Sequence, residues 1–475
     1  MKSGLAGIFT ALTGLSVRAI NQVVIMGVTL VAAHFLAPSD FGVFAIASAS
    51  ITLIRTLMYT GAFEYLLKAK QGQEAPTECL IINISLSIVL TAALLVLVPI
   101  SARVFGTRAV GDMIIVMAPT NIMSAFTAWQ ESQLLRAKRL RTYYAVTAIA
   151  EIVAGIGAVV LLAKHAGLTA LVGQLYLRCL VMLVAYTLLQ KLSWSGRIDR
   201  QKIAEIAKWS SSRYGSTIVS FMSSYGADFF LGAFLSPAAT GIYRASSRVV
   251  TAAADIFSHP TQILSATIFS RHAAEGKAPD AIWAQISGAS AFLGWSALAG
   301  LAAISDRIVP IMLGPRWTGT GIVIALLCIA RAFSLIDAAT VPLLVAFDRS
   351  SIVFKIQAWT AIGSVALLWV VSRFGVAAAA SSAIAISAIT TGGYCLIAAR
   401  LFPGSLKELR PAAAIGILPA FTLFLAAKAC LAIVPRTLGT IPTTTLAVAA
   451  GLLAWLLSAF LFRRAATTAL HAFNA

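Results

Sequence analysis

Apolar stretches of the length that crosses a bilayer follow one another along almost the whole chain. A membrane-spanning helix needs about 20 predominantly apolar residues. Of the 475 residues, 59% are hydrophobic and 11% are charged, whereas a typical soluble domain carries about 25% charged residues. Because no water-soluble core could bury so much apolar surface, the sequence predicts an all-α polytopic membrane protein.

The apolar pattern predicts about 14 transmembrane helices. The first stretch runs to about residue 36, which is too long for the core of a signal peptide, so it is interpreted as a retained helix. The connections are short, and none is large enough for a folded soluble domain. The predicted spans are 10–36, 41–66, 79–101, 110–132, 143–163, 167–190, 209–235, 239–266, 283–304, 319–347, 352–372, 376–399, 411–433 and 442–462.

Basic residues in the connections indicate the orientation. If the N-terminus is cytoplasmic, every even-numbered connection is cytoplasmic too, and most connecting Lys and Arg then lie inside, as the positive-inside rule requires. Those left outside are Arg103, Arg108, Lys164, Arg307, Arg316, Arg373 and Arg436. Much of the formal net charge of +19 is therefore a signal of topology, with both termini cytoplasmic. Nucleic-acid binding has no support.

Two short sequence motifs each occur twice. FLAPSDFGVF at 35–44 returns as FLSPAATGIY at 234–243, and FGTRAVG at 105–111 is echoed by LGPRWTG at 313–319. In each pair the second copy lies six predicted spans after the first. An even offset keeps the orientation, so the pattern predicts two parallel six-helix repeats, an organisation typical of secondary transporters. Within the loop, Pro ends a helix and Gly permits a close approach.

The repeat divides the chain into four parts. Residues 1–190 form the N-terminal six-helix lobe, and residues 209–400 form the C-terminal six-helix lobe. Between them, residues 191–208 form a cytoplasmic linker with an amphipathic helix at the membrane surface. Residues 401–475 add an extra transmembrane helix pair and a cytoplasmic tail.

The five cysteines stand singly in or beside apolar stretches. They form no CxxC or Cys/His spacing, so neither a disulfide nor a metal site is expected, and no cofactor is indicated. They are Cys79, Cys179, Cys328, Cys395 and Cys430.

Ionisable residues inside the predicted spans are the candidates for a functional site, because charges in hydrocarbon are costly unless they are paired or face water. Several follow steps of four or seven residues and so share one helix face. The candidate substrate-binding cations are Arg18, Arg55, Arg244, Arg248 and Arg331. The candidates for charge balance or cation coupling are Asp228, Asp255, His259 and Asp337.

These polar faces predict a hydrated, cationic cavity between the two lobes. Bases outnumber acids within the spans, and arginine holds phosphate or carboxylate through two parallel hydrogen bonds, so an anionic ligand is expected. The alternative is that the Arg and Asp residues pair across helices as structural ties, and Arg213 and Arg244 are near enough to span ends to snorkel. His259 is a candidate for proton coupling, with a packing role as the alternative.

The loop LAPSDFG at 36–42 and the segment LGPRW at 313–317, together with the length and the predicted six-plus-six-plus-two helices, resemble the polysaccharide transporter family. These are the Wzx-type flippases of the multidrug/oligosaccharidyl-lipid/polysaccharide exporter superfamily. The resemblance implies translocation of undecaprenyl-diphosphate-linked oligosaccharide across the bacterial inner membrane by alternating access. It also implies that Arg18 and either Arg244 or Arg248 bind the diphosphate.

The resemblance further implies a role in exopolysaccharide or lipopolysaccharide synthesis, beside a polysaccharide polymerase and glycosyltransferases. Two other functions stay open at this point. A multidrug antiporter would share the fold, although it should carry an acidic excess. A polytopic glycan polymerase or glycosyltransferase would need a large external loop, whereas the external connections here are short, so a transporter is favoured over an enzyme.

Overall fold

The computed structural model describes residues 2–69, 75–189, 198–402, 405–435 and 439–461, without the side chains of 2–13, 15–16, 18, 212 and 405–415. These residues form helices and short connections. The α-helices are α1 Lys2–Phe35, α2 Pro38–Met58, α3 Ala62–Lys68, α4 Pro76–Phe105, α5 Ala109–Met117, α6 Pro119–Arg136, α7 Leu140–Ala163, α8 Leu168–Leu189, α9 Arg200–Phe234, α10 Pro237–Ala274, α11 Asp280–Met312, α12 Thr320–Ala346, α13 Ser350–Val371, α14 Val376–Leu401, α15 Ser405–Ile433 and α16 Thr440–Leu461.

Each predicted span coincides with one helix or with a helix pair broken by a turn. Eleven helices or helix pairs in the described part are long and apolar enough to cross a membrane, and the all-α polytopic fold is confirmed. α9 and α10 are not among the eleven, although both exceed the length of a span. They carry the polar residues that the sequence placed in stripes, which lowers their hydropathy.

Helix ends follow local chemistry. Pro38, Pro76 and Pro237 stand at the first position of their helices, where proline has no N–H to leave unsatisfied. The Asp40 carboxylate receives the backbone N–H of Ala37 at 3.4 Å, so Asp40 stabilises the start of α2 from inside its first turn. These signals fix where the chain turns between neighbouring helices.

α9 is a single helix that begins at Arg200. The side chain of Asp199 accepts the backbone N–H groups of Gln201 and Lys202 at 2.9 and 3.2 Å, which is the arrangement of a helix N-cap. The Asp199 N–H in turn donates to the buried Glu78 at 3.0 Å. The part of the predicted linker that is described, residues 198–208, therefore leads directly into the seventh predicted span. The placement of this segment at a membrane surface stays a prediction.

The helices pack into two compact units, residues Met1–Gly241 and Ile242–Ala475. In the first unit, Ile46 of α2 and Val110 of α5 are fully buried in one apolar cluster, and Trp129 of α6 is buried in another with residues of α3 and α4. In the second, α11 packs against α12, α15 and α16, with Trp283 among the buried side chains. The predicted lobe boundaries, which were drawn from the repeat, stay a prediction.

The two copies of the repeated loop contact each other within the first unit. A Cβ built on Gly42 would clash with the carbonyl oxygen of Pro237, and one built on Gly241 would clash with the carbonyl oxygen of Pro38. The contact is reciprocal, because each glycine faces the proline of the other copy. Glycine is required at both positions so that the first turns of α2 and α10 can touch through their backbones.

Candidate functional site

Arg55 lies on α2 inside the first unit, and its hydrogen bonding is incomplete. The side chain is half-buried, its Nη2 points to the Cys179 Sγ at 4.0 Å, and its Nε is buried without a hydrogen-bond partner. Among the described residues, no carboxylate forms an ion pair with it. Since a guanidinium has five N–H donors, Arg55 retains the capacity to bind an anion.

The carboxyl of Glu131 lies close to Arg55 and was not among the predicted site residues. It is on α6, and the residue is 3% exposed. Its Oε1 accepts a hydrogen bond from the Tyr186 hydroxyl at 3.4 Å, and Tyr59 hydrogen-bonds the same carboxyl. The sequence did contain a signal, because Glu131 falls in the fourth predicted span within the polar run WQESQ at 129–133.

Two other arginines of the first unit form ion pairs with carboxylates. The Nε of Arg178 on α8 lies 2.9 Å from the Glu151 Oε1 on α7. The Nη1 of Arg213 on α9 lies 2.7 Å from the Glu64 Oε2 on α3, and its guanidinium also lies over the Trp209 ring at 4.3 Å. These pairs tie neighbouring helices together, so their charges are compensated within the protein.

Arg331 on α12 is the corresponding feature of the second unit. Its Nη2 donates to the hydroxyl of Thr251 on α10 at 2.9 Å, and it interacts electrostatically with Tyr243. None of the acidic side chains in the described ranges forms an ion pair with Arg331. A half-buried cation that holds only neutral hydroxyl groups can still accept an anionic ligand.

Asp255 and His259, two of the predicted charge-balance residues, contact each other on α10. The His259 Nε2 lies 3.5 Å from the Asp255 Oδ2, and both side chains are about one-fifth exposed. The second oxygen of Asp255 accepts from Ser258 at 3.3 Å, while the Nδ1 of His259 is buried without a hydrogen-bond partner. The i, i+4 spacing in the sequence predicted this shared face.

Asp337 on α12 lies against α14. Its carboxyl interacts with the Thr391 hydroxyl and lies near Tyr394 and Cys395. One of its oxygens, Oδ1, is buried without a hydrogen-bond partner in the structure. Asp337 is thus a carboxyl in a neutral, polar surrounding rather than a counter-ion of Arg331 on the same helix.

The other predicted site residues lie on α1, α9 and α10. Asp228 is fully buried on α9, and its backbone carbonyl accepts from the Thr240 hydroxyl at 3.0 Å. Arg244 and Arg248 lie one turn apart on α10 and are half-buried. The backbone of Arg18 belongs to α1, but its side chain lies outside the described residues.

An apolar groove of about 340 Å³ lies between α11, α15 and α16 of the second unit. Its walls are formed by residues such as Leu293, Leu423 and Leu452, and the small residues Gly300 and Gly451 widen it. At one end, the Trp455 Nε1 donates to the Ser296 hydroxyl at 2.8 Å. The groove can accept hydrocarbon, and the extra helix pair supplies one of its sides.

The fold is that of a polytopic helical membrane protein with charged groups among its helices. The model of a family described as polysaccharide biosynthesis protein matches residues 31–322. The chain belongs to this family, and the resemblance to polysaccharide transporters found in the sequence is confirmed. Among curated proteins, no sequence match was found.

Solved structures share the fold. The structure described as lipid II flippase MurJ in an inward closed conformation matches with a TM-score of 0.74 and 13% identity, over 96% of this chain and 99% of that one. An inward-facing multidrug resistance MATE family transporter of the MOP superfamily matches with a TM-score of 0.61 and 11% identity, over 83% of this chain and 95% of that one. At these identities the matches establish the fold and leave the substrate open.

Proposed function

We propose that this protein is a flippase for oligosaccharide repeat units linked to undecaprenyl diphosphate. Its family is concerned with polysaccharide biosynthesis, and a protein of the same fold is a flippase of another lipid-linked molecule, lipid II. In this proposal the chain carries its substrate from the inner to the outer leaflet by alternating access. It acts as a transporter and not as an enzyme.

The observation that carries the proposal is a pair of arginines, one in each compact unit, that form no ion pair with a described carboxylate. Arg55 and Arg331 are half-buried and, within the described ranges, form no ion pair, whereas Arg178 and Arg213 are paired. At either arginine a diphosphate would supply a negative charge that no ion pair among the described residues provides, and arginine binds it in bidentate fashion. Arg18 in the first unit, and Arg244 and Arg248 in the second, are proposed as further substrate-binding cations.

The apolar groove is the candidate binding site for the hydrocarbon part of the substrate. The sugars and diphosphate need a polar path, while the polyprenyl chain needs apolar surroundings. The groove between α11, α15 and α16 offers apolar walls and is built in part from the extra helix pair. We propose that it holds a segment of the polyprenyl chain during transfer.

The cellular setting follows from the same proposal. The protein would lie in the bacterial inner membrane with both termini in the cytoplasm and with lobes at 1–190 and 209–400. It would serve exopolysaccharide or lipopolysaccharide synthesis together with a polysaccharide polymerase and glycosyltransferases. The short external connections, and the arginines that form no ion pair, favour this function over a polymerase.

Complementation in a strain that lacks the native gene tests the proposal. Arg55→Ala and Arg331→Ala are each expected to reduce surface glycan by tenfold or more, because the loss of a charged hydrogen bond to a desolvated anion costs about 1.5–3 kcal/mol. Arg103→Ala is the matched control, since Arg103 is exposed at the end of α4. Equal export by all three variants at equal protein levels would show that these arginines do not bind substrate.

A multidrug antiporter is the second candidate, since a multidrug transporter shares the fold. Cationic drugs require carboxylates in the site, and Asp337 is a half-buried residue whose Oδ1 is buried and whose described contacts include no basic side chain. Drug-susceptibility assays distinguish the two functions. An antiporter protects a susceptible strain from cationic dyes, and Asp337→Asn removes that protection, whereas a glycan flippase gives no protection.

A further inference from the structure

Glu131 is a buried carboxyl that the proposed substrate contacts do not use. It lies on α6 of the first unit and is 3% exposed. Two tyrosine hydroxyls, those of Tyr59 and Tyr186, hydrogen-bond it. One tyrosine directly follows α2 and the other lies on α8, so the Glu131 carboxyl is a buried polar group with hydrogen-bond partners from two other segments.

Two arginines interact with Glu131, and they differ in their other contacts. Glu131 interacts electrostatically with Arg178 and Arg55. Arg178 already holds Glu151, at 2.9 Å. Arg55 has a buried Nε without a hydrogen-bond partner and a distant sulfur contact. When it is ionised, Glu131 offsets part of the positive charge of Arg55, although no direct ion pair joins these two side chains in the structure.

We propose that Glu131 is a proton-binding site coupled to anion binding at Arg55. An anion at Arg55 and an ionised Glu131 repel each other and compete for the same positive charge. Anion binding therefore promotes transfer of a proton from solvent to a Glu131 oxygen, forming an O–H bond that restores neutrality. By linkage, protonation of Glu131 tightens anion binding to the same extent. This inference rests on the proposed function, because it requires an anionic ligand at Arg55.

Among the titratable groups near Arg55, Glu131 is the one suited to bind the proton. Tyrosine hydroxyls ionise near pH 10, and Glu151 is held directly by Arg178. On the other elements that pack against α6, Glu64 pairs with Arg213 and Glu78 accepts the Asp199 amide. The titratable and charged groups that interact with Glu131 or with its two tyrosines are Arg55, Tyr59, Tyr143, Arg178 and Tyr186. The other elements that pack against α6 also carry Glu64, Tyr65 and Lys68 on α3, Glu78 and Cys79 on α4, Asp112 on α5, Tyr144 and Glu151 on α7, and Cys179 on α8.

Isothermal titration calorimetry measures the linked proton directly. The full chain in lipid nanodiscs is titrated with farnesyl diphosphate in phosphate-free buffers that differ in ionisation enthalpy. The dependence of the heat on that enthalpy gives the protons taken up per ligand bound. We expect uptake by the wild type, and an affinity that weakens by at most about tenfold per pH unit as Glu131 ionises, because one proton is linked.

The variants separate this inference from the proposed function. Glu131→Gln is expected to bind farnesyl diphosphate without the extra proton and with an affinity that no longer varies with pH in the same range. Glu64→Gln is the matched control, a carboxyl paired with arginine elsewhere in the unit, and it should keep the uptake. Arg55→Ala should lose binding.

The outcomes distinguish a failure of the proton coupling from a failure of the flippase proposal. Binding that depends on Arg55 but takes up the same protons in Glu131→Gln overturns the coupling and leaves the flippase proposal intact. Absence of binding that depends on Arg55 overturns both. Should Glu131→Gln fail to fold, Tyr186→Phe replaces it. Loss of a donor to the carboxylate should raise the pH at which affinity changes, and an unchanged pH profile would contradict the coupling.

Discussion

Arginines inside the described helices differ in how completely the protein compensates them. Arg178 and Arg213 each lie within 3 Å of a carboxylate oxygen, and they serve the structure. Arg55 and Arg331 contact only a sulfur and a hydroxyl through hydrogen bonds. A guanidinium without a directly paired carboxylate is costly in a low-dielectric interior, and the binding of an anion offsets that cost.

The two paired arginines should differ in their effect on stability. Arg178→Ala leaves Glu151, whose side chain is 4% exposed, without its partner, so the free energy of unfolding should fall by about 3 kcal/mol. Arg213→Ala leaves Glu64, which is 34% exposed and can be solvated, so the loss should be about 1 kcal/mol or less. Thermal unfolding in one detergent measures both.

Restoring neutrality provides the control for this comparison. Arg178→Ala combined with Glu151→Gln removes both charges, so most of the lost stability should return. If Arg178→Ala is no more damaging than Arg213→Ala, the burial of Glu151 does not set the cost and this reasoning is wrong.

At the scale of helices, the repeated loop is a site of close backbone contact. Its prolines begin α2 and α10, and its glycines face the opposite copy. The glycines of the repeated loop are required by this contact, since a side chain at either of them would separate the first turns of the two helices. The loop serves the geometry of the fold, in agreement with its lack of charged groups other than Asp40.

Gly42→Ala and Gly241→Ala should each destabilise the protein by about 1–3 kcal/mol, because the added methyl group meets backbone atoms that cannot rotate away. Gly215→Ala in α9 is the control, since a Cβ there has no atom within 4 Å, and alanine favours a helix by up to about 1 kcal/mol. Thermal unfolding again measures the change. Stability as high in Gly42→Ala as in Gly215→Ala would show that the contact is not needed.

The sequence predicted the helices well because the membrane imposes their length and hydropathy. It also placed Asp255 and His259 on one face, since that relation is local. It could not predict the ion pair between Arg213 and Glu64 or the hydrogen bond from Arg331 to Thr251, because such contacts depend on which helices pack together. Glu131 was not among the predicted site residues, since it lies at the very end of a predicted span and the sequence does not show that its carboxyl is enclosed by neighbouring helices.

At the scale of the whole molecule, the family and the fold are both compatible with the proposed transport of a lipid-linked glycan. The family match covers residues 31–322, and the match to the lipid flippase structure covers 96% of the chain. A cationic interior suits the diphosphate and an apolar groove suits the lipid chain, so the two parts of the proposed substrate have matching surroundings. Transfer of such a lipid between leaflets is therefore the central claim.

Direct measurement of that transfer is the most stringent test. Proteoliposomes carry a fluorescent undecaprenyl-diphosphate-linked oligosaccharide in both leaflets, and a membrane-impermeant quencher reports how much reaches the outer one. The proposal predicts that wild-type protein makes nearly all of the label accessible, whereas the double variant Arg55→Ala/Arg331→Ala leaves about half protected, as in protein-free vesicles. Equal accessibility with the wild type and the double variant, or none beyond that of empty vesicles with either, would contradict it.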